Sequence, residues 1–168
     1  MAMMDWSGWQ AREKAVLLFL REGEKLLLIH KKRGLGTGKV NAPGGRVEAG
    51  ETWEQAAVRE TREETGLTPQ NLTDAAELWF QFTDGYSLQV RVFHARGWTG
   101  TLTACDEADP FWLDHRDLPW QTMWADDSLW LRPVLAGQRV TARCVFDGEA
   151  MREAQMEIQG RPSTAIAG

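Results

Sequence analysis

Residues 52–65, TWEQAAVRETREET, leave this chain less freedom than any other segment. Thr52 can cap a helix N-terminus, and Gln55 three residues later completes a capping box. Gly66 stands where helices commonly end in a left-handed turn. Between these marks Glu60, Glu63 and Glu64 are related by i+3 and i+4, so a helix puts all three on one face. Carboxylates so placed repel each other by a few tenths of a kcal/mol per pair, and by more if buried. A glutamate-rich helix is ordinarily a solvated face with ion pairs, and Arg59 and Arg62 can supply part of the compensation. A hard divalent cation compensates better, because it prefers oxygen ligands. The Gly-rich stretch RGLGTGKVNAPGG (33–45) precedes the helix, and such a loop lets backbone groups approach a polyphosphate.

The rest of the chain reads as a mixed α/β (α+β) domain over residues 14–158. Apolar runs 14–21 and 25–32 form a hairpin, and 76–83 with 86–97 form a second, joined by Asp84-Gly85. A short strand is predicted over 110–113. A second helix runs from Asp126 or Asp127 toward Leu135, disturbed by Pro133 and ended by Gly137. Residues 139–146 and 149–158 flank Asp147-Gly148 as a C-terminal hairpin, although the last arm also fits helical spacing. Residues 1–13 read as a loosely attached arm and 159–168 as a flexible tail.

Composition narrows the partners. With 19 basic and 24 acidic residues the net charge is −5, which disfavours binding a nucleic-acid polymer. Apolar runs such as Ala15–Leu20 are too short to span a bilayer, and the first residues lack the pattern of a signal peptide. Two cysteines (Cys105, Cys144) suit a reducing, cytoplasmic setting. Nothing in the pattern signals a dimer, so a monomer is expected. Nine Trp against one Tyr leave flat rings available for stacking on a base.

Residues 45–67, GRVEAGETWEQAAVRETREETGL, resemble the Nudix box, G-x5-E-x7-R-E-U-x-E-E-x-G-U, where U is apolar. Gly45, Glu51, Arg59, Glu60, Glu63, Glu64, Gly66 and Leu67 match; Thr61 stands where an aliphatic residue is usual, and its hydroxyl needs a partner. At residue frequencies of about 7%, seven fixed identities arise by chance on the order of once in 10⁸ starting points. The resemblance implies an α/β/α sandwich with a mixed sheet, a loop–helix–loop catalytic box, and Mg²⁺ or Mn²⁺ as cofactor. It makes Glu60, Glu63 and Glu64 metal ligands or the base that activates water, with Arg59 orienting them by pairing with Glu51. Gly44, through its carbonyl, and Glu107 join the metal site by the same pattern. Which glutamate is the base stays open, because protons in such a cluster are shared.

The box carries chemistry and not specificity. The segment 105–135, with the loop before the box, resembles the MutT-related oxidised-purine nucleoside triphosphatases of that family. The corresponding substrate-binding positions are Asn41, Trp124, Asp126 and Asp127, with Phe80, Leu88 and Trp130 at wall positions and Lys31 aligned as well. Lys31 and Lys39 can meet phosphates. Trp124 can stack on a purine, and Asp126 with Asp127 can share a proton and read its edge; as alternatives, the aspartates can cap a helix and the Trp residues can pack in a core. Implied is hydrolysis of nucleoside triphosphates of the 8-oxo-dGTP or 2-hydroxy-dATP class to monophosphate and pyrophosphate. The alternatives are ADP-ribose or dinucleoside polyphosphates as substrates, or a catalytically weak nucleotide-binding module.

Overall fold

The computed structural model describes residues 3–159 and the backbone of 161–165. In chain order the strands and helices are β1 (Glu13–Glu22), β2 (Lys25–Lys31), β3 (Val40–Asn41), β4 (Gly44–Arg46), α1 (Trp53–Thr65), β5 (Leu67–Gln70), β6 (Thr73–Phe82), β7 (Ser87–Ala95), β8 (Gly97–Gly100), β9 (Ala108–Asp114), α2 (Asp127–Leu135), β10 (Val140–Asp147), β11 (Ala150–Ile158) and β12 (Arg161–Ala165). One sheet runs in the order β12-β11-β10-β6-β7-β1-β2-β3, with β4 also on β1 and β9 also on β2. The local hairpins β1–β2, β6–β7 and β10–β11 are antiparallel. Their mutual assembly is parallel, β1 on β7 and β6 on β10. A small second sheet pairs β5 with β8.

Side-chain alternation along β1 shows how the layers form. Ala15 and Phe19 pack with Trp130, Leu131 and Val134 of α2, whereas Val16, Leu18 and Leu20 pack with Ala56 and Ala57 of α1. Helices therefore cover both faces, which is why β1 reads as a continuous apolar run rather than an alternating one. This is the α/β/α sandwich.

α1 is set by its own sequence. Gln55 N donates to Thr52 Oγ1 at 3.1 Å and Thr52 N donates to Gln55 Oε1 at 2.9 Å. Gly66 closes the helix at φ 81°. Thr61, the departure from the box, is fully buried, and its hydroxyl donates to the Ala57 carbonyl at 2.8 Å. The partner that a buried hydroxyl needs is thus one turn back on the same helix.

The last arm, 149–158, forms the expected C-terminal hairpin as strand β11, pairing with β10 through Cys144↔Ala154, and the helical alternative falls away. Two local expectations change. The N-terminal arm is not loose: Trp9 stacks on Trp79 with ring centroids 4.9 Å apart, and Trp6 meets Trp9 edge-on at 5.3 Å. Trp9 Nε1 donates to Gln81 Oε1 at 2.9 Å, and the Met4 amide donates to Glu153 Oε2 at 2.9 Å. Of the segment read as a flexible tail, 161–165 pair as β12 along β11, while 160 and 166–168 lie outside the described residues. Both changes arise from contacts distant in sequence.

Replacing Trp9 by Ala removes a stacked ring pair and a side-chain hydrogen bond. The expected loss is about 1–2 kcal/mol of unfolding free energy, read from urea unfolding. A loss below about 0.5 kcal/mol would mean that the arm does not brace the sheet.

Candidate active site

The carboxylates are gathered by one guanidinium and one bare backbone. Arg59 forks onto Glu51, Nε to Oε2 at 2.6 Å and a terminal nitrogen to Oε1 at 3.0 Å. Its other nitrogen donates to Glu60 at 2.9 Å and Glu63 at 3.3 Å. Arg59 also donates to the Arg46 carbonyl at 3.0 Å, tying α1 to β4. Arg59 holds the Glu51 carboxyl down at about 2. A Cβ at 45 would lie 2.5 Å from Glu60 Oε1, so a larger residue there would push the Glu60 carboxylate aside. Gly44 donates its N–H to Glu64 Oε1 at 2.7 Å, and a Cβ at 44 would overlap the Val16 carbonyl.

Burial acts on these groups unequally. It raises Glu60 despite Arg59, and it pushes Glu64 up to about 8 despite the Gly44 hydrogen bond. Glu63 is half exposed. Two carboxylates buried beyond the reach of enough positive charge are the donor set a hard divalent cation suits. Among the described residues no three His, Cys, Asp or Glu already converge as a metal cage. Glu60 and Glu63 are turned to Arg59, so Glu60, Glu63 and Glu64 would hold a cation by releasing that contact.

A cavity of about 120 Å³ adjoins this cluster. Glu64, Gly44 and Gly45 line it, and so do Trp124, Asp126 and Asp127 at the start of α2. Its apolar walls come from Phe80 and Phe82 on β6, Leu88 and Val90 on β7, and Phe146 on β10. Asp126 and Asp127 are 2% and 3% exposed. Asp126 does not cap α2 with its side chain; it accepts from Trp130 Nε1 at 2.7 Å. Asp127 Oδ2 is buried with no hydrogen-bond partner. Burial raises both acids, and the charge of Asp126 raises Asp127 further, so the pair retains a proton well above the usual carboxylate range.

The cavity brings together Lys31, Asn41, Phe80, Leu88, Trp124, Asp126 and Asp127 of the residues expected to bind substrate. The Asn41 carbonyl oxygen accepts from the Ala42 N–H at 2.8 Å, which leaves its NH₂ as a donor. Trp130 is not a wall residue: it is fully buried behind Asp126 and reaches the site only through that hydrogen bond. The Asp126–Trp130 spacing, i and i+4 on one helix, was a signal for this pairing. Glu107 stands apart from the cluster, half exposed and paired with Arg33 at 3.2 Å, although its charge bears on Glu60 and Glu64. The Lys39 ammonium lies over Trp124, 5.2 Å from the ring centroid.

The glycine-rich stretch divides into two parts with different tasks. Gly45 makes room for Glu60 and Gly44 fits against Val16 while its N–H serves Glu64, whereas Gly36 backs Trp124, where a Cβ would lie 2.8 Å from the indole Nε1. Phe82 and Phe146 were not foreseen. Phe82 lies two residues after Phe80 and so shares its face, a readable signal. Phe146 reaches the wall through the parallel β6–β10 register, which no local pattern announces.

Glu64 gives a pH test of the metal-free protein. A carboxyl raised from its ordinary 4.5 to about 8 favours the folded state when protonated. That stability is complete below the ordinary value and is lost as pH rises through about 8. Over that window the melting temperature of chelator-treated protein falls more steeply than that of Glu64→Gln. Parallel curves would show that Glu64 does not carry the shift.

The NUDIX domain family matches residues 11–133. An oxidized purine nucleoside triphosphate hydrolase of Danio rerio is 40% identical over 133 residues, covering 79% of this chain and 85% of that protein. The Mus musculus protein of the same name is 34% identical over 134 residues, covering 79% and 86%. A crystal structure of a mutator MutT protein from Bacillus halodurans superposes with a TM-score of 0.77 at 20% identity, covering 86% of this chain and 97% of that one; at this identity it shows the fold. Nudix hydrolases act on nucleotides and generally need a divalent metal ion. The extent of the family match and the 40% identity over most of the chain establish that this protein belongs to the Nudix hydrolase family.

Proposed function

We propose that this chain hydrolyses oxidised or otherwise modified purine nucleoside triphosphates, such as 8-oxo-dGTP or 2-hydroxy-dATP, to the monophosphate and pyrophosphate. Magnesium is the proposed ion, with manganese as a substitute. The observation that carries this reading is the buried Asp127 Oδ2, which has no hydrogen-bond partner, on a residue that lines the same cavity as Glu64. An orphaned buried acid is costly unless a ligand completes it. The names of the two animal relatives point to the same substrate class.

The chain's own groups divide the work. Trp124 offers an indole face for the base, and stacking of this kind contributes about 1–3 kcal/mol per base. The Asp126–Asp127 pair, holding a proton, both donates and accepts toward a purine edge, and the Asn41 NH₂ adds a donor. Lys31 lines the cavity, and in this reading its ammonium meets phosphate. Glu60, Glu63 and Glu64 would hold the metal ion, whose chemistry would be to neutralise phosphate charge and lower the cost of generating a nucleophile from water. Water attacks phosphorus, pyrophosphate leaves, and a carboxylate of the cluster takes the water's proton. Arg59, anchored on Glu51, holds Glu60 and Glu63 together until a cation takes its place between them. Both cysteines are free, which suits the cytoplasmic setting we propose for a monomeric enzyme.

Steady-state hydrolysis of normal and oxidised nucleoside triphosphates, ADP-ribose and dinucleoside polyphosphates with Mg²⁺ tests the substrate class. A modified purine triphosphate is expected to give the highest kcat/KM. If ADP-ribose or a dinucleoside polyphosphate gives the highest, the substrate reading fails. Undetectable turnover on every substrate, equal in wild type and Glu64→Gln, would instead mean a nucleotide-binding module.

Two substitutions separate the ends of the cavity. Glu63→Gln is expected to lower kcat by about 100-fold or more with KM little changed. Asp127→Asn is expected to cut kcat/KM for the preferred purine by about 10–100-fold while sparing pyrimidine triphosphates. Equal losses on both substrate types would remove Asp127 from base recognition.

A further inference from the structure

Lys39 lies in the loop before β3, and Glu149 lies in the turn between β10 and β11. Their side chains meet at 3.1 Å, so the pair bridges two segments that are far apart in sequence. The lysine side chain is only 17% exposed, whereas that of Glu149 is 66% exposed. The Lys39 ammonium sits over the Trp124 ring. Trp124 is further confined by Gly36 at its Nε1 edge and by Phe82 and Phe146, both perpendicular to it. With Lys39 over one face, the indole is held by contacts from three elements and cannot easily turn.

A cation here also acts on the acids next to Trp124. The charge of Lys39 favours ionised Asp127, against burial and against Asp126. The other groups around the pair are the Trp130 N–H on α2, the Cys144 thiol from β10, and Lys31 and Glu64 across the cavity. Lys39 is the one cation of this set whose charge registers at Asp127.

We propose that Lys39 is a positioning residue for base recognition: anchored by Glu149, its ammonium fixes the Trp124 indole and lends positive charge to the Asp126–Asp127 pair. This rests on the purine triphosphate reading above. The role lies at the base end of the cavity and not at the phosphates, so it affects how substrate binds more than how fast it is cleaved. A cation over an indole contributes a fraction of a kcal/mol to about 2 kcal/mol, depending on desolvation.

The test compares wild type, Lys39→Met, Lys39→Arg and Glu149→Gln on the preferred purine triphosphate and on a pyrimidine triphosphate, each across pH with saturating Mg²⁺. Lys39→Met is expected to raise KM for the purine by about 3–10-fold, with kcat within about twofold. The alkaline limb of its kcat/KM profile moves to higher pH, because loss of a neighbouring cation lets the acid pair keep its proton longer. Lys39→Arg restores both, since a guanidinium also stacks on indole. Glu149→Gln, at an exposed site that leaves the fold intact, raises KM in the same direction by less. A fall in kcat with KM unchanged would put Lys39 at the phosphates and overturn the proposal, and so would unchanged KM and pH profile in Lys39→Met. If wild type itself prefers ADP-ribose or a dinucleoside polyphosphate, the substrate reading falls and this role falls with it. Purine preference in wild type with an indifferent Lys39→Met removes Lys39 alone.

Discussion

Carboxylates held out of water are the constraint around which the rest of this structure is arranged. Glu60 and Glu64 lie buried on one side of the cavity, and Asp126 and Asp127 on another. An ionised acid removed from water is costly unless it is paired, protonated or bound to a cation. The fold uses a different remedy for each. Arg59 pairs with Glu51, Glu60 and Glu63, the Gly44 amide serves Glu64, and the Trp130 indole serves Asp126. Asp127 Oδ2, without a partner, and Glu64, raised in spite of its hydrogen bond, are where a ligand and a cation would complete the site.

The two-sided sheet supplies the setting for those remedies. Because α1 and α2 cover opposite faces, β1 runs through the middle, and its alternate side chains serve both layers. Ala15, Val16 and Leu17 on β1 line the cavity, so the strand that anchors α1 also walls the nucleotide site. Small residues matter where backbone and carboxylate approach most closely: Gly45 makes room for Glu60, and Gly44 fits against Val16. Large aromatic residues fill the opposite end, where a flat base would stack.

The acidic net charge, which disfavours binding a nucleic-acid polymer, is still compatible with a polyphosphate substrate. Acids concentrated on one helix face would, with a divalent ion among them, present positive charge to phosphate. The nine tryptophans divide by role. Trp124 lines the cavity, Trp130 buttresses an acid, and Trp6, Trp9 and Trp79 bind the N-terminal arm to the sheet.

The sequence by itself determined whatever depends on near neighbours. The caps of α1, the common face of its three glutamates, the Asp-Gly hairpins and the box glycines follow from spacings of a few residues, where backbone geometry decides which side chains meet. Tertiary structure alone decided what depends on register between distant strands and on exclusion of water. The parallel β6–β10 pairing delivers Phe146 to the wall, the packing of the arm turns a loose reading of 1–13 into a stacked one, and β11 takes its partner from β10 rather than from its own periodicity. Trp130 buttresses Asp126 from behind the cavity and Lys39 lies over the Trp124 indole, positions that spacing did not foretell, because spacing places a residue on an element but not against another element. The raised acids belong to the same class: a carboxylate's proton affinity is set by the water it has lost, and that is known only once the whole chain has closed around it.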